Sequence, residues 1–262
     1  MLRRNWANVV YPIISFVVLV IVWSLSIKLF QVPNYILPEP SAVLRQLHKG
    51  YVQGDYWPHV LFTLKNTAIG YFFGCSIAIV FGALLAESRN FDRFVYPFII
   101  ALQSMPKVAL APLIIVWFGF GMLSKVVMVA LICFFPLFIN TSVGIKQTPT
   151  QLIDMMRVFK ASRLEIFFRV KLKSAMGHIF AGLQIGVVLS LIGAVVAEFV
   201  ASTRGLGYLV STSQANFDVA TMFAALVGLI AIGITGTQLV RFFHSRVVFW
   251  EASGSSETIV SE

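Results

Sequence analysis

Charge is what this sequence has least of: Asp, Glu, Lys and Arg make up 12% of its 262 residues, about half the share of an ordinary soluble domain. Acid is scarcer than base, with 11 Asp and Glu against 20 Lys and Arg and a formal net charge of +9. Only two cysteines occur, Cys75 and Cys133, each inside an apolar run with no His or Cys at metal-ligand spacing, so both read as small buried hydrophobes. His178 likewise has no second His or carboxylate at helical spacing, and no metal site is expected. No G-x-x-x-x-G-K-[ST] phosphate loop is present, so nucleotide-driven work must be done by another chain. Paired intramembrane Asp, Ser with His, and H-E-x-x-H are also missing, and no catalytic residue is assigned.

What the sequence does have is apolar length. Hydrophobic residues reach 58%, and the mean hydropathy of +0.85 argues against a disordered or nucleic-acid-binding chain. A hydrocarbon layer about 30 Å thick needs about 20 apolar residues at 1.5 Å rise. Six windows qualify: 9–27, 66–86, 94–118 with Lys107 inside it, 126–145, 175–197 and 219–240. Runs this long and continuous lack the alternation of barrel strands. The expected fold is therefore all-α, a polytopic membrane protein of six transmembrane helices. Small residues at Gly70, Gly74 and Gly82, and at Gly177, Ala181 and Gly182, offer faces for close helix packing.

Basic residues set the orientation, because Lys and Arg are retained on the cytoplasmic side. With the N-terminus inside, 13 of the 20 Lys and Arg fall on the inner side, 6 (Lys28, Arg45, Lys49, Lys65, Lys125 and Arg204) on the outer side, and Lys107 within a span. Both termini are then cytoplasmic. The first run reads as a retained span rather than a signal peptide, since no small-residue cleavage site follows it. Residues 1–250 form the membrane domain, and 251–262 read as a disordered polar tail.

Two loops are patterned. The outer segment 30–65 predicts a short surface helix through Val43, Leu44 and Leu47, with Ser41 as its N-cap. The inner segment 146–174 places Leu152, Met155, Met156 and Phe159 at i, i+3, i+4 and i+7, an apolar face with Asp154, Arg157 and Lys160 turned elsewhere. Such a helix either rests on the inner leaflet, held by the basic residues around it, or docks in the groove of a cytoplasmic partner.

Two intramembrane features remain. Pro106 and Pro112 each remove a backbone donor from the third span and Lys107 puts a charge near its middle. Gln103, Ser104, Met105, Pro106 and Lys107 are thus expected at a broken, protein-buried stretch beside a translocation route. The alternative is that Lys107 snorkels because the span begins later, near Val108. Glu198, at the end of the fifth span, is an interfacial anchor or a member of the route.

Several motifs carry a family resemblance: Leu37-Pro38-Glu39-Pro40; Gln103-Ser104-Met105-Pro106-Lys107-Val108-Ala109-Leu110-Ala111-Pro112-Leu113; Trp117-Phe118-Gly119-Phe120-Gly121; Ala197-Glu198; and Gly205-Leu206-Gly207-Tyr208-Leu209. From about Leu37 to Arg241 the chain resembles the inner-membrane permease subunits of bacterial ATP-binding cassette importers, in the branch that carries nitrate, sulfonates and taurine. The family's cytoplasmic EAA loop maps onto a divergent copy here. Asp154 stands for the glutamate, Met155 and Met156 for the alanines, Lys160 for the glycine and Lys173 for the proline, while Ala161, Ser162, Phe167 and Val170 keep the expected types.

The resemblance implies the type I permease fold, no cofactor on this chain, and ATP with Mg on a partner ATPase. It implies that 150–172 is the coupling segment, through Leu152, Asp154, Met155, Met156, Arg157, Phe159, Lys160, Ala161 and Ser162. The implied partners are a second permease copy, two cytoplasmic ATP-binding subunits, an external solute-binding protein and the lipid of the inner membrane, with no nucleic acid. The implied cargo is a small anion, or alternatively a neutral vitamin precursor. A channel or ion-driven transporter is the competing class, but its several buried carboxylates or inverted repeat are not seen.

Overall fold

The structure, a computed structural model, describes residues 2–249, with side chains at 2–9, 12, 16, 89 and 91 left aside. The tail expected over 251–262, and the side chains of Arg3, Arg4 and Arg89, lie outside the described residues. Among the described residues every regular element is helical. They run α1 (Leu2–Phe30), α2 (Pro40–Leu47), α3 (Trp57–Glu87), α4 (Arg89–Ser104), α5 (Ala111–Phe118), α6 (Met122–Lys146), α7 (Thr150–Val158), α8 (Arg163–Ile166), α9 (Leu172–Ser174), α10 (Met176–Ala201), α11 (Leu206–Ala215) and α12 (Val219–Val247).

Among the described residues five helices are long and apolar enough to cross a membrane, namely α1, α3, α6, α10 and α12. The third expected span is instead a bent pair, Asp92–Ser104 and Lys107–Phe118, meeting at 86°. Counted as one span, the pair completes six. The break falls where Pro106 cannot donate to the helix ladder. Three lysines assigned to the outer side lie inside helices, Lys28 in α1, Lys65 in α3 and Lys125 in α6; the exposed Lys65 keeps its charge at the surface, whereas the Lys125 ammonium is held by backbone carbonyls.

Two compact units divide the chain. The first comprises 1–62 and 203–229. Its α2 is capped at Glu39 rather than Ser41, since Pro40 takes the first helical position and Ser41 Oγ donates to Glu39 Oε2 at 3.1 Å. A π-helical turn, His48–Val52, follows α2. Tyr51 Oη donates to Ala224 O at 3.1 Å, and a Cβ on Gly228 would strike that hydroxyl, so this glycine admits the tyrosine. Burial pushes the Tyr51 hydroxyl up to about 12, which keeps it a donor. His59 Nδ1 lies 3.1 Å from Gly205 O and its ring stacks on Tyr208, bracing the start of α11.

The second unit comprises 63–202 and, of the described residues, 230–249, and is built on α3, α6 and α10. Water does not drive helices together inside lipid, so small residues at the contacts decide how closely they pack. Gly70 lies against Val129, Gly74 against Ala130 and Cys133, and Gly82 against Phe138 and Thr141, which seats α3 on α6. Gly182 meets Leu137 and Asn140, and Gly193 meets Val129, which seats α10 on α6. The glycines expected to pack do so in α3 and at Gly182, while Ala181 faces outward. The resulting core holds Leu85, Phe135, Leu137, Phe138 and Ile179. Tyr71 Oη donates to Leu183 O at 2.9 Å and closes the triangle.

A Cβ on Gly74 would stand 2.8 Å from backbone atoms of Ala130. Gly74→Val therefore destabilises the fold by about 1–3 kcal/mol, read as a lower thermal midpoint in detergent. An unchanged midpoint would show that α3 and α6 are not held at this distance.

Candidate functional site

The segment between α6 and α10 folds as a corner with an exposed apolar face. Leu152, Met155 and Val158 of α7 and Phe159 at its C-cap point outward, with Val158 at 81% and Phe159 at 76% exposure, while Met156 is half-buried. The face thus runs through Val158, three residues after Met155 and missed in the sequence reading, rather than through Met156. Asp154 pairs with Arg157 at 3.0 Å on the flank.

The corner itself is tightly specified. Lys160 adopts φ 56, the left-handed region that glycine more often occupies. Its N–H donates to Arg157 O at 2.9 Å and the Ala161 N–H to Met156 O at 3.0 Å, the paired bonds of a Schellman turn. Ser162 then caps α8. Its Oγ accepts from the Glu165 N–H at 3.2 Å, and Glu165 Oε2 accepts from the Ser162 N–H at 2.8 Å. This capping box was legible as S-x-x-E. Those bonds, the Ser162 amide first, hold the Glu165 carboxyl below the usual carboxylate range.

Beyond α8 the π-helical turn Phe167–Lys171 and α9 anchor the corner. Phe167 and Leu172 pack against the main core. Lys171 Nζ donates to Glu87 Oε1 at 2.6 Å, at the end of α3, and Lys146 Nζ to Asp92 Oδ1 at 2.9 Å, joining α6 to α4. A cleft lined by Leu152, Met155, Arg169 and Lys173 opens beside α7.

The break in the third span is the other candidate. Gln103 and Ser104 end α4, Met105 and Pro106 form the bend, and Lys107 opens the 3-10 turn Lys107–Leu110 before α5. Lys107 Nζ donates to Gln103 O at 3.0 Å and sits 4.7 Å from the centre of the Phe135 ring. Its ammonium thus caps a carbonyl that the break releases, with a cation–π contact beneath. The expectation of a protein-buried stretch is corrected: Gln103, Ser104, Met105 and Pro106 are exposed on this chain and Lys107 half-exposed, because the bend turns them outward.

Glu198 does not join them. It is buried in the last turns of α10, where both its carboxylate oxygens accept from Thr63 Oγ1, at 2.9 and 3.0 Å. Lys125, whose charge it feels, lies ten residues from Phe135 on α6, about 15 Å along the helix. Gln103 instead lines a cleft of about 180 Å³ with Tyr96, Ser142, Asp92 and Lys146.

Residues 78–249 match the family described as binding-protein-dependent transport system inner membrane component. The chain belongs to that family. It is 36% identical over 251 residues to the riboflavin transport system permease protein of Chloroflexus aurantiacus, covering 96% of this chain and 93% of that one. The formylaminopyrimidine transport permease protein of Halalkalibacterium halodurans is 30% identical, with 91% and 95% covered. The taurine transport system permease protein of Escherichia coli is 29% identical, with 95% and 94% covered. In fold, the chain is similar to a chain of the inward-facing MetNI methionine ABC transporter, with a TM-score of 0.64, 21% identity, and 74% of this chain and 94% of that one covered. It is thus a multi-pass ABC importer permease subunit of the type I fold, in the branch that includes the taurine permease.

Lysine in the left-handed region costs about 1 kcal/mol that glycine would not. Lys160→Gly therefore stabilises the corner by about that amount, seen as slower hydrogen exchange at the Ala161 amide. Faster exchange there would contradict the strain.

Proposed function

We propose that this chain forms the translocation path of an ATP-driven, binding-protein-dependent importer for a small organic or inorganic anion. The observation that carries this reading is the exposed face of Leu152, Met155, Val158 and Phe159 on a helix whose far end is locked by hydrogen bonds. An apolar helix face flanked by Arg157 and Lys160 suits a groove on a cytoplasmic ATPase, and the residues on and beside it that serve coupling are Leu152, Asp154, Met155, Met156, Arg157, Phe159, Lys160, Ala161 and Ser162.

In this mechanism two copies of the chain enclose the route and each engages one ATP-binding subunit, which holds ATP and Mg. A solute-binding protein delivers cargo to the outer face. Closure of the ATPase pair draws the two corners together, and the spans reorient from inward- to outward-open; hydrolysis resets them. Such a cycle needs contacts that differ between the two states. The ion pairs Lys171–Glu87 and Lys146–Asp92 give the corner two attachments to α3 and α4 through which displacement is passed. Both termini and the corner face the cytoplasm of an inner membrane, in keeping with the excess of Lys and Arg on that side.

For the cargo, Lys107 at the broken span favours an anion. The second reading is a neutral vitamin precursor, favoured by the relatives named for riboflavin and formylaminopyrimidine.

Cysteine at Phe159, in membranes containing the ATPase, forms cross-links to that subunit, and uptake into vesicles requires ATP. Uptake driven by an ion gradient alone, or cross-links that never reach the ATPase, would defeat the coupling role. Lys107→Met lowers uptake of an anionic cargo at least ten-fold with assembly retained. Full uptake by that variant removes Lys107 from the anion route and favours the neutral cargo.

A further inference from the structure

Lys125 is only 2% exposed, yet it sits in the first turn of an apolar helix. An ammonium has three protons to donate, and Lys125 Nζ places them on three carbonyls: Phe120 O at 3.0 Å, Gly121 O at 3.1 Å and Ala201 O at 2.8 Å. Phe120 and Gly121 belong to the turn between α5 and α6, where Gly119 takes φ 78. Ala201 is the last residue of α10, and its carbonyl is one of those a helix end leaves without an internal partner, at the negative end of the helix dipole. One side chain therefore satisfies both the exit of the half-helix α5 and the end of α10.

The neighbourhood is built around that charge. Glu198, 1% exposed and one turn before Ala201, supplies the opposite sign and accepts the hydroxyl of Thr63, itself fully buried. Below them Ala111 and Ile114 of α5 pack with Met128 and Ile132 of α6 and Ala197 of α10. On the other side of the break, α4 leaves Phe94, Phe98 and Leu102 exposed. Packing alone does not call for Lys125, since methionine would fill the same length without the desolvation that a buried ammonium costs.

We propose that Lys125 is a positioning residue of the translocation route: its ammonium locks α5 to the end of α10, so that these two reorient as one body while α4 moves at the bend. The reorientation rests on the importer reading above; the lock itself does not. The test uses the permease in complex with its ATPase, with spin labels on cysteines at the exposed positions Trp117 in α5 and Phe199 in α10, the native Cys75 and Cys133 being buried. The distance between labels is expected to be single and narrow, and the same with and without ATP.

In Lys125→Met, and in the double variant Lys125→Met/Glu198→Gln that removes both buried charges together, the distribution is expected to broaden or split. Lys125→Arg, which keeps charge and donors, is expected to restore it. In proteoliposomes Lys125→Met is expected to lose at least ten-fold in ATP-driven uptake while ATP hydrolysis by the complex continues, a split that a general loss of stability would not give. An unbroadened distribution in the double variant would overturn the lock. Absence of ATP-driven uptake by the unsubstituted complex would instead overturn the importer reading, with the label distances still deciding the lock.

Discussion

The close approach of α3 and α10 to α6 is the constraint on which the second unit depends. Inside a bilayer, lipid tails are as apolar as leucine, so association must come from contact at short range and from hydrogen bonds between helices. Glycine at the crossing points brings backbones near enough for both, as where Gly74 lies over Ala130 and Gly193 over Val129. Tyr71 then reaches a carbonyl of α10. The bent pair, the corner after α6 and the attachments of that corner are all positioned from this three-helix frame.

Against that frame, the intramembrane lysines share a chemistry. Lys107 and Lys125 both place their ammonium groups on carbonyls that a helix end or a turn leaves free. Charge in these positions serves the backbone first. Lys107 retains partial exposure and an aromatic ring beneath it, whereas Lys125 is saturated by three acceptors. Two residues of one type in adjoining segments thus differ in how fully the backbone occupies their donors.

Much of the architecture was legible because apolar run length reports a membrane span directly. The cores of α6, α10 and α12 follow their windows, and Pro106 with Lys107 marked the break. The 86° angle was not legible, because a proline removes a donor and leaves a carbonyl without its partner but does not fix how the two halves turn. Uncharged runs are shorter than the helices that hold them, so Lys28, Lys65 and Lys125 lie beyond the runs yet within α1, α3 and α6. Of the candidate sites, the periodicity of α7 gave Leu152, Met155 and Phe159, but helical phase near its end turned Met156 inward and Val158 outward. The Ser162 to Glu165 box stands in the sequence as S-x-x-E. The partner of Glu198 was not written there at all, since Thr63 lies 135 positions away and only the packing of α3 brings it near.

The left-handed turn at Lys160 has a consequence for how a second protein would arrive. Glycine at that apex would carry no charge; here a long cation projects from it, among the exposed Arg157, Arg163, Arg169 and Lys173. Any molecule seeking the apolar face of α7 crosses this field, whose reach is about 8 Å at physiological ionic strength. Salt therefore tunes the speed of encounter more than the lifetime of the seated pair, and an acidic surface is drawn in before a single apolar contact has formed.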